Sequence, residues 1–332
     1  MKQSSSWNSS VVESTSAIRR LLYPTLSVFC FLLHTVTGCA TSPSIPTQFD
    51  AIERIPIKTA RVNDQRIAYL DVGKGPPVIL IHGFGGSMWQ WEHQQCTLAR
   101  YFRVVTPDLL GSGLSDKPDI EYRTDQMLDF FNGFMNALNI PQAVLVGNSM
   151  GAGLAIGMAL THPERVTKLV LVDGLPPRVL EKLASPAVRQ ALEMQLPYWL
   201  VSLGNWLFGG MMTEDILKDI VHDQTLLTPI VLDRSNRNRQ RPGLLKPIMA
   251  VRDNLPRWES DFAVRIGTLT QPTLVIWGEK DKVFPLAVGE ALHRTIKGSW
   301  FATIPEAGHI PQWEQPDLVN ESLIEFLETS PP

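Results

Sequence analysis

The sequence predicts an α/β fold in which a mostly parallel sheet is covered by helices on both faces. Short, almost uninterrupted apolar segments alternate with longer segments of helical periodicity from about residue 66 onward. Such segments are typical of strands that are buried on both faces of a parallel sheet. Residues 175–266 interrupt the alternation and have helical character throughout. We therefore expect a helical cap inserted into one α/β domain.

The predicted elements follow one another in the order that such a fold requires. Strands are predicted from apolar segments at 66–70, 78–81, 102–106, 143–146, 169–172, 274–277 and 300–304. Helices are predicted where apolar residues recur with a helical period, at 124–138, 150–161, 285–295 and 317–328. Ligands of such a sheet bind beyond the carboxyl ends of its strands, so that edge is where catalytic residues are expected.

The segment Gly147-Asn148-Ser149-Met150-Gly151 places a serine between a predicted strand and a predicted helix. A sharp strand–turn–helix connection strains the residue at its apex and leaves little space two positions away, which favours glycine there. The turn also presents N–H groups at a helix N-terminus, where developing negative charge is stabilised. Ser149 is therefore the candidate nucleophile.

Two further candidates follow later strands. Asp281 lies in the loop after the strand predicted at 274–277, and His309 lies in the loop after the strand predicted at 300–304. A serine hydroxyl needs an imidazole to accept its proton, and the imidazolium needs a carboxylate that fixes its tautomer. We predict a triad of Ser149, Asp281 and His309, with Asp173, at the end of the strand predicted at 169–172, as the alternative acid.

These motifs resemble those of the α/β-hydrolase superfamily, in which the triad runs in the order Ser, Asp, His along the chain. The resemblance also includes the segments 82–86 and 108–113 and extends from about residue 58 to the C-terminus. It implies a core formed by residues 58–174 and 267–330, with a cap at 175–266. It further implies an oxyanion hole made by the backbone N–H groups of Phe84 and Met150.

The predicted activity is hydrolysis of a small-molecule carboxylic ester through an acyl-enzyme intermediate. A carbon–carbon bond hydrolase acting on ring-cleavage dienoates is the alternative, because the cap size, the serine segment and Gln312-Trp313-Glu314 resemble that group. Ile310 departs from it, since those enzymes usually carry tryptophan after the histidine. A non-catalytic binding protein on the same fold is a further alternative, against which the intact triad argues.

No cofactor, metal ion or nucleic acid is expected as a partner. The sequence contains no H-E-x-x-H or C-x-x-C motif of the kind that binds zinc. With 30 Lys and Arg against 33 Asp and Glu, the formal net charge is −3. The chain therefore lacks the basic excess that nucleic-acid binding requires.

Residues 1–38 are predicted to be a signal peptide of the bacterial lipoprotein type. Arg19 and Arg20 precede an apolar run at 21–36, which is shorter than the ~20 apolar residues of a spanning helix. The run ends in Val36-Thr37-Gly38-Cys39, which resembles the signal after which the cysteine is lipidated. Acyl chains on Cys39 would hold the protein to a membrane.

We therefore expect an exported, membrane-anchored lipoprotein with residues 39–57 as its tether. Ala40 rather than aspartate follows Cys39, which resembles lipoproteins sorted to an outer membrane if the host has one. An uncleaved signal anchor in the inner membrane is the alternative. Loss of Cys30 and acylation of Cys39 would leave Cys96 without a disulfide partner in the mature chain.

Two segments of the predicted cap have more than one interpretation. Trp206-Leu207-Phe208, with Met211 and Met212, either lines an acyl or aromatic pocket or forms the core of the cap. The arginine-rich run at 234–241 either is a solvated face or contacts lipid head groups or a substrate carboxylate, which guanidinium groups bind in a bidentate way.

Overall fold

The computed structural model describes residues 54–329 and contains one eight-stranded sheet with the strand order β1-β2-β4-β3-β5-β6-β7-β8. The strands are β1 (Lys58–Val62), β2 (Gln65–Val72), β3 (Pro77–Ile81), β4 (Arg103–Pro107), β5 (Ala143–Asn148), β6 (Val166–Val172), β7 (Thr273–Gly278) and β8 (Trp300–Ile304). Strands β3 to β8 pair in parallel, whereas β2 pairs antiparallel with β1 and β4. The predicted mostly parallel α/β fold is confirmed.

Strand β1 was not among the predicted strands. It lies at the edge of the sheet and buries only Ala60 and Val62. Two alternating apolar residues are too few to predict a strand from the sequence. Its pairing with β2 across the turn at Asn63 and Asp64, both with positive φ, is what makes it a strand. Tertiary pairing therefore outweighs its weak local signal.

The α-helices occupy the segments between the strands and most of the cap. In chain order they are α1 (Gln95–Leu98), α2 (Thr124–Ala137), α3 (Met150–Thr161), α4 (Val179–Lys182), α5 (Pro186–Glu193), α6 (Tyr198–Ile220), α7 (Pro229–Arg239), α8 (Leu245–Asp253), α9 (Leu255–Asp261), α10 (Leu286–Thr295), α11 (Pro311–Glu314) and α12 (Pro316–Glu328). Short 3₁₀ helices lie at Met88–Trp91, Pro163–Arg165, Gln224–Leu226 and Ala263–Thr268.

Apolar side chains cover both faces of the sheet. One face carries a core shared with α2, α3 and α10, to which Phe131, Ile156 and Leu292 contribute. The other face carries a separate core shared with α1 and α12, to which Leu98 and Leu323 contribute. The strands therefore lie between two layers of helices, as their continuous apolar character predicts.

Every helix from α4 to α9 lies between β6 and β7, which is where the cap was predicted. No strand occurs among residues 173–272 of the described chain. The longest of these helices, α6, has 23 residues and buries only Gly209. Trp199, Trp206 and Phe208 of this helix are exposed, so they are neither the core of the cap nor a closed pocket lining.

The predicted signal peptide, Cys39 and most of the predicted tether lie outside the described residues 54–329. Among the residues that are described, no helix has the length and apolar character needed to cross a membrane.

Candidate active site

Ser149 occupies the sharp turn between β5 and α3. Its backbone has φ 51° and ψ −116°, a conformation that costs a residue with a Cβ of the order of 1–3 kcal/mol and is found most often at functional sites. Its N–H donates to Val172 O over 3.0 Å, and its carbonyl accepts from Ala152 N–H and Gly153 N–H. These bonds connect the turn to β6 and to the first turn of α3, and they hold the strained conformation.

Two glycines give this turn the space that the sequence predicts. A Cβ on Gly147 would lie 2.3 Å from the carbonyl carbon of Gly151, and a Cβ on Gly151 would lie 2.3 Å from Ile81 O. Both contacts are with backbone atoms, which cannot move aside without displacing β3 or α3. The close approach of β3, β5 and α3 therefore requires glycine at both positions.

His309 and Asp281 form the second part of the site. His309 Nδ1 lies 2.9 Å from Asp281 Oδ2, and both side chains are buried. The other carboxylate oxygen, Oδ1, accepts from Val283 N–H over 2.7 Å and from Phe284 N–H over 3.1 Å. The two backbone donors fix the carboxylate, which can then orient the imidazole so that Nε2 is free to accept a proton.

Asp173, the alternative acid, lies beside this pair and is completely buried. One oxygen each of Asp173 and Asp281 and one ring nitrogen of His309 all lie within 4.8 Å of one another. Asp173 Oδ1 accepts from Gly278 N–H over 3.0 Å. Burial, and then the charge of the neighbouring Asp281, raise the pKa of Asp173 well above its ordinary value. The hydrogen bond to His309 belongs to Asp281, not to Asp173.

The same three side chains have the donor atoms of a metal site, but their arrangement fits a hydrogen-bonded chain better. Metal ligation requires deprotonated carboxylates and an imidazole nitrogen with a free lone pair. Burial favours the protonated form of Asp173, and His309 Nδ1 is already bonded to Asp281. These groups therefore suit proton transfer rather than metal binding.

The predicted oxyanion loop lies directly against the serine. A Cβ placed on Gly83 would be 3.4 Å from Ser149 Cβ, so the backbone of this loop passes next to the nucleophile. Within residues 54–329, neither Phe84 N–H nor Met150 N–H donates to another protein group. Two unpaired backbone donors beside a strained serine are what an oxyanion hole needs. The roles of the triad and of the two oxyanion-hole donors in catalysis remain predictions.

Gln90 and Asn148 join the three parts of the site, and neither was predicted from the sequence. Gly83 N–H donates to Gln90 Oε1 over 2.8 Å, and Gln90 Nε2 donates to Asn148 Oδ1 over 2.6 Å. Asn148 Nδ2 in turn donates to His309 O over 3.0 Å and to Val172 O over 3.1 Å. This chain of amides fixes the oxyanion loop and the histidine loop relative to the serine turn.

His82 makes two hydrogen bonds that hold the oxyanion loop. Its Nε2 accepts from Leu109 N–H over 3.0 Å, so its Nδ1 carries the proton and donates to Gly83 O over 2.8 Å. Burial lowers the pKa of His82, which favours the neutral ring that these two bonds require. The residue connects the loop after β3 to the loop after β4.

The cap contacts the histidine loop through its backbone. His309 N–H donates to Ile220 O at the end of α6 over 2.8 Å. Glu314 accepts from Gly308 N–H over 2.7 Å with one oxygen, and from His222 N–H and Asp223 N–H with the other. Burial raises the pKa of Glu314, although these three donors oppose that shift. The position of His309 thus depends on the cap.

An ion pair with a buried carboxylate makes a second connection between cap and core. Arg234 of α7 contacts both carboxylate oxygens of Glu92, at 2.7 and 2.8 Å, and Trp313 Nε1 donates to the same carboxylate over 2.7 Å. The Glu92 side chain is 1% exposed. Within the arginine-rich run, Arg234 therefore holds the cap in place, whereas Arg237 is exposed and pairs with Asp233.

Comparison with known proteins places these features in a family. A family model described as alpha/beta hydrolase fold matches residues 76–316. The chain is 29% identical over 281 residues to 2-hydroxy-6-oxo-6-phenylhexa-2,4-dienoate hydrolase of Burkholderia cepacia, which covers 82% of this chain and 95% of that protein.

Two solved structures share the fold over most of their length. A meta-cleavage product hydrolase from Pseudomonas fluorescens, complexed with acetates, has a TM-score of 0.71 and 29% identity, covering 82% of this chain and 97% of that one. A thermophilic esterase from Thermogutta terrifontis has a TM-score of 0.68 and 27% identity, covering 82% of this chain and 98% of that one.

Proposed function

The chain belongs to the α/β-hydrolase family, and on that premise we propose that it hydrolyses the carbon–carbon bond of a 2-hydroxy-6-oxohexa-2,4-dienoate. The observation that carries the proposal is the combination of the Ser149, His309 and Asp281 geometry with relatives that act on such dienoates. The sequence alone favoured carboxylic esters as the substrate and dienoates as the alternative. The relatives reverse that order, and esters become the second candidate.

In the proposed reaction, each residue has a role that its environment supports. Ser149 adds to the 6-oxo carbon while His309 Nε2 accepts the hydroxyl proton. Asp281, held by two backbone N–H groups, stabilises the imidazolium that forms. The N–H groups of Phe84 and Met150 stabilise the oxyanion, each contributing roughly 3 kcal/mol by analogy with donors removed from other oxyanion holes.

The bond between C5 and C6 can break because the substrate can take up its electron pair. Transfer of the 2-hydroxyl proton to C5 converts C2 into a ketone that is conjugated with C3 and C4. When the tetrahedral adduct collapses, the electron pair of the C5–C6 bond passes through this system to the C2 oxygen, which receives the proton from His309. Water then hydrolyses the acyl-enzyme, and the products are a carboxylic acid and a 2-hydroxypenta-2,4-dienoate.

The test is turnover of 2-hydroxy-6-oxo-6-phenylhexa-2,4-dienoate, followed by loss of the absorbance of its conjugated dienolate. The expected products are benzoate and 2-hydroxypenta-2,4-dienoate in equal amounts, with Ser149→Ala as the inactive control. Turnover of p-nitrophenyl esters without any turnover of the dienoate would contradict the proposal.

Carboxylic ester hydrolysis is the second candidate because the same triad and oxyanion hole perform it with fewer demands on the substrate. The likeness to a thermophilic esterase and the presence of Ile310 after the histidine favour it. A series of p-nitrophenyl esters of increasing acyl length decides between the two activities. If the kcat/KM for any of these esters exceeds the kcat/KM for the dienoate, the protein is an esterase.

A non-catalytic binding role requires that the serine be unreactive. We expect a fluorophosphonate to label Ser149 covalently, because its turn is strained and a buried Asp281–His309 pair lies in the same site. Absence of labelling, together with absence of turnover on both substrate classes, would favour the binding role.

Membrane attachment through Cys39 is a separate part of the proposal and rests on the sequence alone. The wild-type protein made in a bacterium should partition with membranes and incorporate labelled palmitate, whereas Cys39→Ser should not. Cys96→Ser is the matched control, because Cys96 lies within the folded domain and should leave acylation unchanged. Mass spectrometry that finds an uncleaved N-terminus or an unmodified Cys39 would contradict lipoprotein processing.

A further inference from the structure

Asp173 has an unexplained oxygen atom beside the triad. Its side chain is completely buried, and its Oδ1 accepts from Gly278 N–H over 3.0 Å. No N–H or O–H group of residues 54–329 donates to its Oδ2. An ionised carboxylate in this position would bury a charged oxygen without a donor, which is strongly unfavourable.

The neighbour of that oxygen is a second carboxyl group. One oxygen of Asp173 and one of Asp281 lie within 4.8 Å of each other, and Asp281 already accepts from His309 Nδ1, Val283 N–H and Phe284 N–H. Two buried carboxyl groups at this separation cannot both be ionised, so one of them holds a proton. Asp281 has three donors that favour its charged form, whereas Asp173 has one.

We propose that Asp173 is a positioning residue that carries a proton on Oδ2 and donates a hydrogen bond from it to the Asp281 carboxylate, which it holds against His309. The Gly278 N–H decides which oxygen carries the proton, because the oxygen that accepts from it is the carbonyl oxygen. The proposal rests on the catalytic role of the triad proposed above.

The backbone of Asp173 is built for this placement. Its φ is 41°, a backbone conformation that residues with a Cβ adopt rarely. Its N–H donates to Ile276 O over 2.9 Å. The residue thus bridges β6 and β7 with both its backbone and its side chain, immediately below the loop that carries Asp281. A strained residue that is hydrogen-bonded through both its backbone and its side chain is expected where that side chain must be held in one position.

The proton on Asp173 also determines the charge next to His309. With this proton, the two carboxyl groups together carry one negative charge. Without it they would carry two negative charges, which would favour the imidazolium over the neutral ring that must act as base. Glu314, the last residue of α11, also favours the protonated form of Asp173.

Asparagine reproduces the proposed hydrogen bonds at this position, and leucine does not. In Asp173→Asn, Oδ1 can accept from Gly278 N–H and the amide can donate to Asp281, with a similar volume. Asp173→Leu fills the space without a donor or an acceptor. The comparison between the two variants therefore isolates the hydrogen bond from packing.

The experiment measures kcat, KM and the pH–rate profile on p-nitrophenyl acetate, together with fluorophosphonate labelling, for wild type and both variants. These readouts need only a working triad and not the dienoate activity, so they do not depend on the substrate proposed above. We expect Asp173→Leu to lower kcat roughly 10- to 100-fold, as small misplacements of catalytic groups do. Its acidic limb should move to higher pH, because an Asp281 charge without its donor favours the imidazolium. We expect the kcat of Asp173→Asn to stay within about tenfold of the wild-type value. The acidic limb of its pH–rate profile should match that of wild type.

Thermal unfolding as a function of pH gives an independent readout. The pKa of Asp173 is raised in the folded state by burial and by Asp281, so the folded chain binds more protons than the unfolded chain above about pH 4. The stability contribution of this group therefore falls as pH rises. Wild type should lose stability relative to Asp173→Asn as pH increases from about 4 to 8, because asparagine does not titrate.

Three outcomes would overturn the proposal. A loss of about 10⁴-fold in Asp173→Asn would identify Asp173 as the ionised triad acid. Equal losses in both variants with an unchanged pH profile would mean that Asp173 only packs. A stability difference between wild type and Asp173→Asn that does not vary with pH would show that Asp173 is not protonated. If wild type itself fails to react with the ester and the fluorophosphonate, the proposed function fails first.

Discussion

Strand β5 and helix α6 show how differently the core and the cap of this protein are built. All six residues of β5 are buried, whereas only one of the 23 residues of α6 is. Every side chain of the strand must therefore fit the protein interior, and the strand leads directly to the strained serine. The helix presents tryptophan, phenylalanine and methionine side chains to solvent, so its sequence is weakly constrained by packing. Packing therefore constrains the sequence of this core strand far more than that of the cap helix.

The two regions are nevertheless joined at a few specific points. The cap reaches the core through Ile220 O at His309 and through Arg234 at Glu92. The core residue is buried at both points. A cap variant that changes one of these contacts should therefore affect activity or stability.

The largest expected effect comes from the nucleophile. Ser149→Ala should lower kcat about 10⁶-fold, because removal of the nucleophile leaves only the binding and oxyanion contributions. Turnover of an ester and of the dienoate, with intact-protein mass spectrometry after fluorophosphonate treatment, measures it. Ser260→Ala is the matched control, since that exposed cap serine bonds to Arg257 O and Asp261 Oδ1. Label on a serine other than Ser149 would contradict the assignment.

The triad acid should have the next largest effect. Asp281→Asn should lower kcat about 10⁴-fold, because the amide cannot offset the imidazolium charge and favours the wrong tautomer of His309. Steady-state kinetics on both substrate classes measures the loss, and circular dichroism checks that the variant is folded. If Asp281→Asn retains activity while Asp173→Asn loses it, the assignment of the two carboxyl groups must be exchanged.

The buried ion pair between cap and core should have a smaller effect, on stability. Arg234→Met leaves the carboxylate of Glu92 buried with Trp313 Nε1 as a donor, and loss of one partner of a buried pair costs about 3–5 kcal/mol in the free energy of unfolding. Denaturant titration measures it. Arg237→Met, on the same helix but in an exposed pair with Asp233, should cost about 0–1 kcal/mol. Similar losses in the two variants would mean that Glu92 does not depend on the cap.

The exposed face of α6 should have the smallest effect. Trp206 is 78% exposed, whereas Trp258 at the base of the cap is 4% exposed. Trp206→Ser should change the free energy of unfolding by no more than about 0.5 kcal/mol, and Trp258→Ser should lower it by about 3–5 kcal/mol. A large loss in Trp206→Ser would show that this face is covered by another surface in solution.

Much of the core could be predicted because local signals and the fold agree there. The continuous apolar strands, the glycines at 147 and 151 and the order of Ser149, Asp281 and His309 along the chain all indicate the same arrangement. The edge strand β1 was missed since its stability comes from pairing with β2. The substrate preference was ordered wrongly with respect to the relatives, because the triad is common to ester and carbon–carbon hydrolases and carries no information on the acyl group.

By itself, the sequence determined the α/β architecture, the three triad candidates and the position of the cap, since these depend on periodicity and on short motifs with strict steric needs. Only the tertiary structure decided which carboxyl group contacts His309, which side chains join the loops and which arginine of the run pairs with the buried Glu92. Asp173 and Asp281 both follow strands and look equivalent along the chain. Their difference is one of distance and hydrogen-bond donors, which exist only once β6, β7 and the histidine loop are packed together.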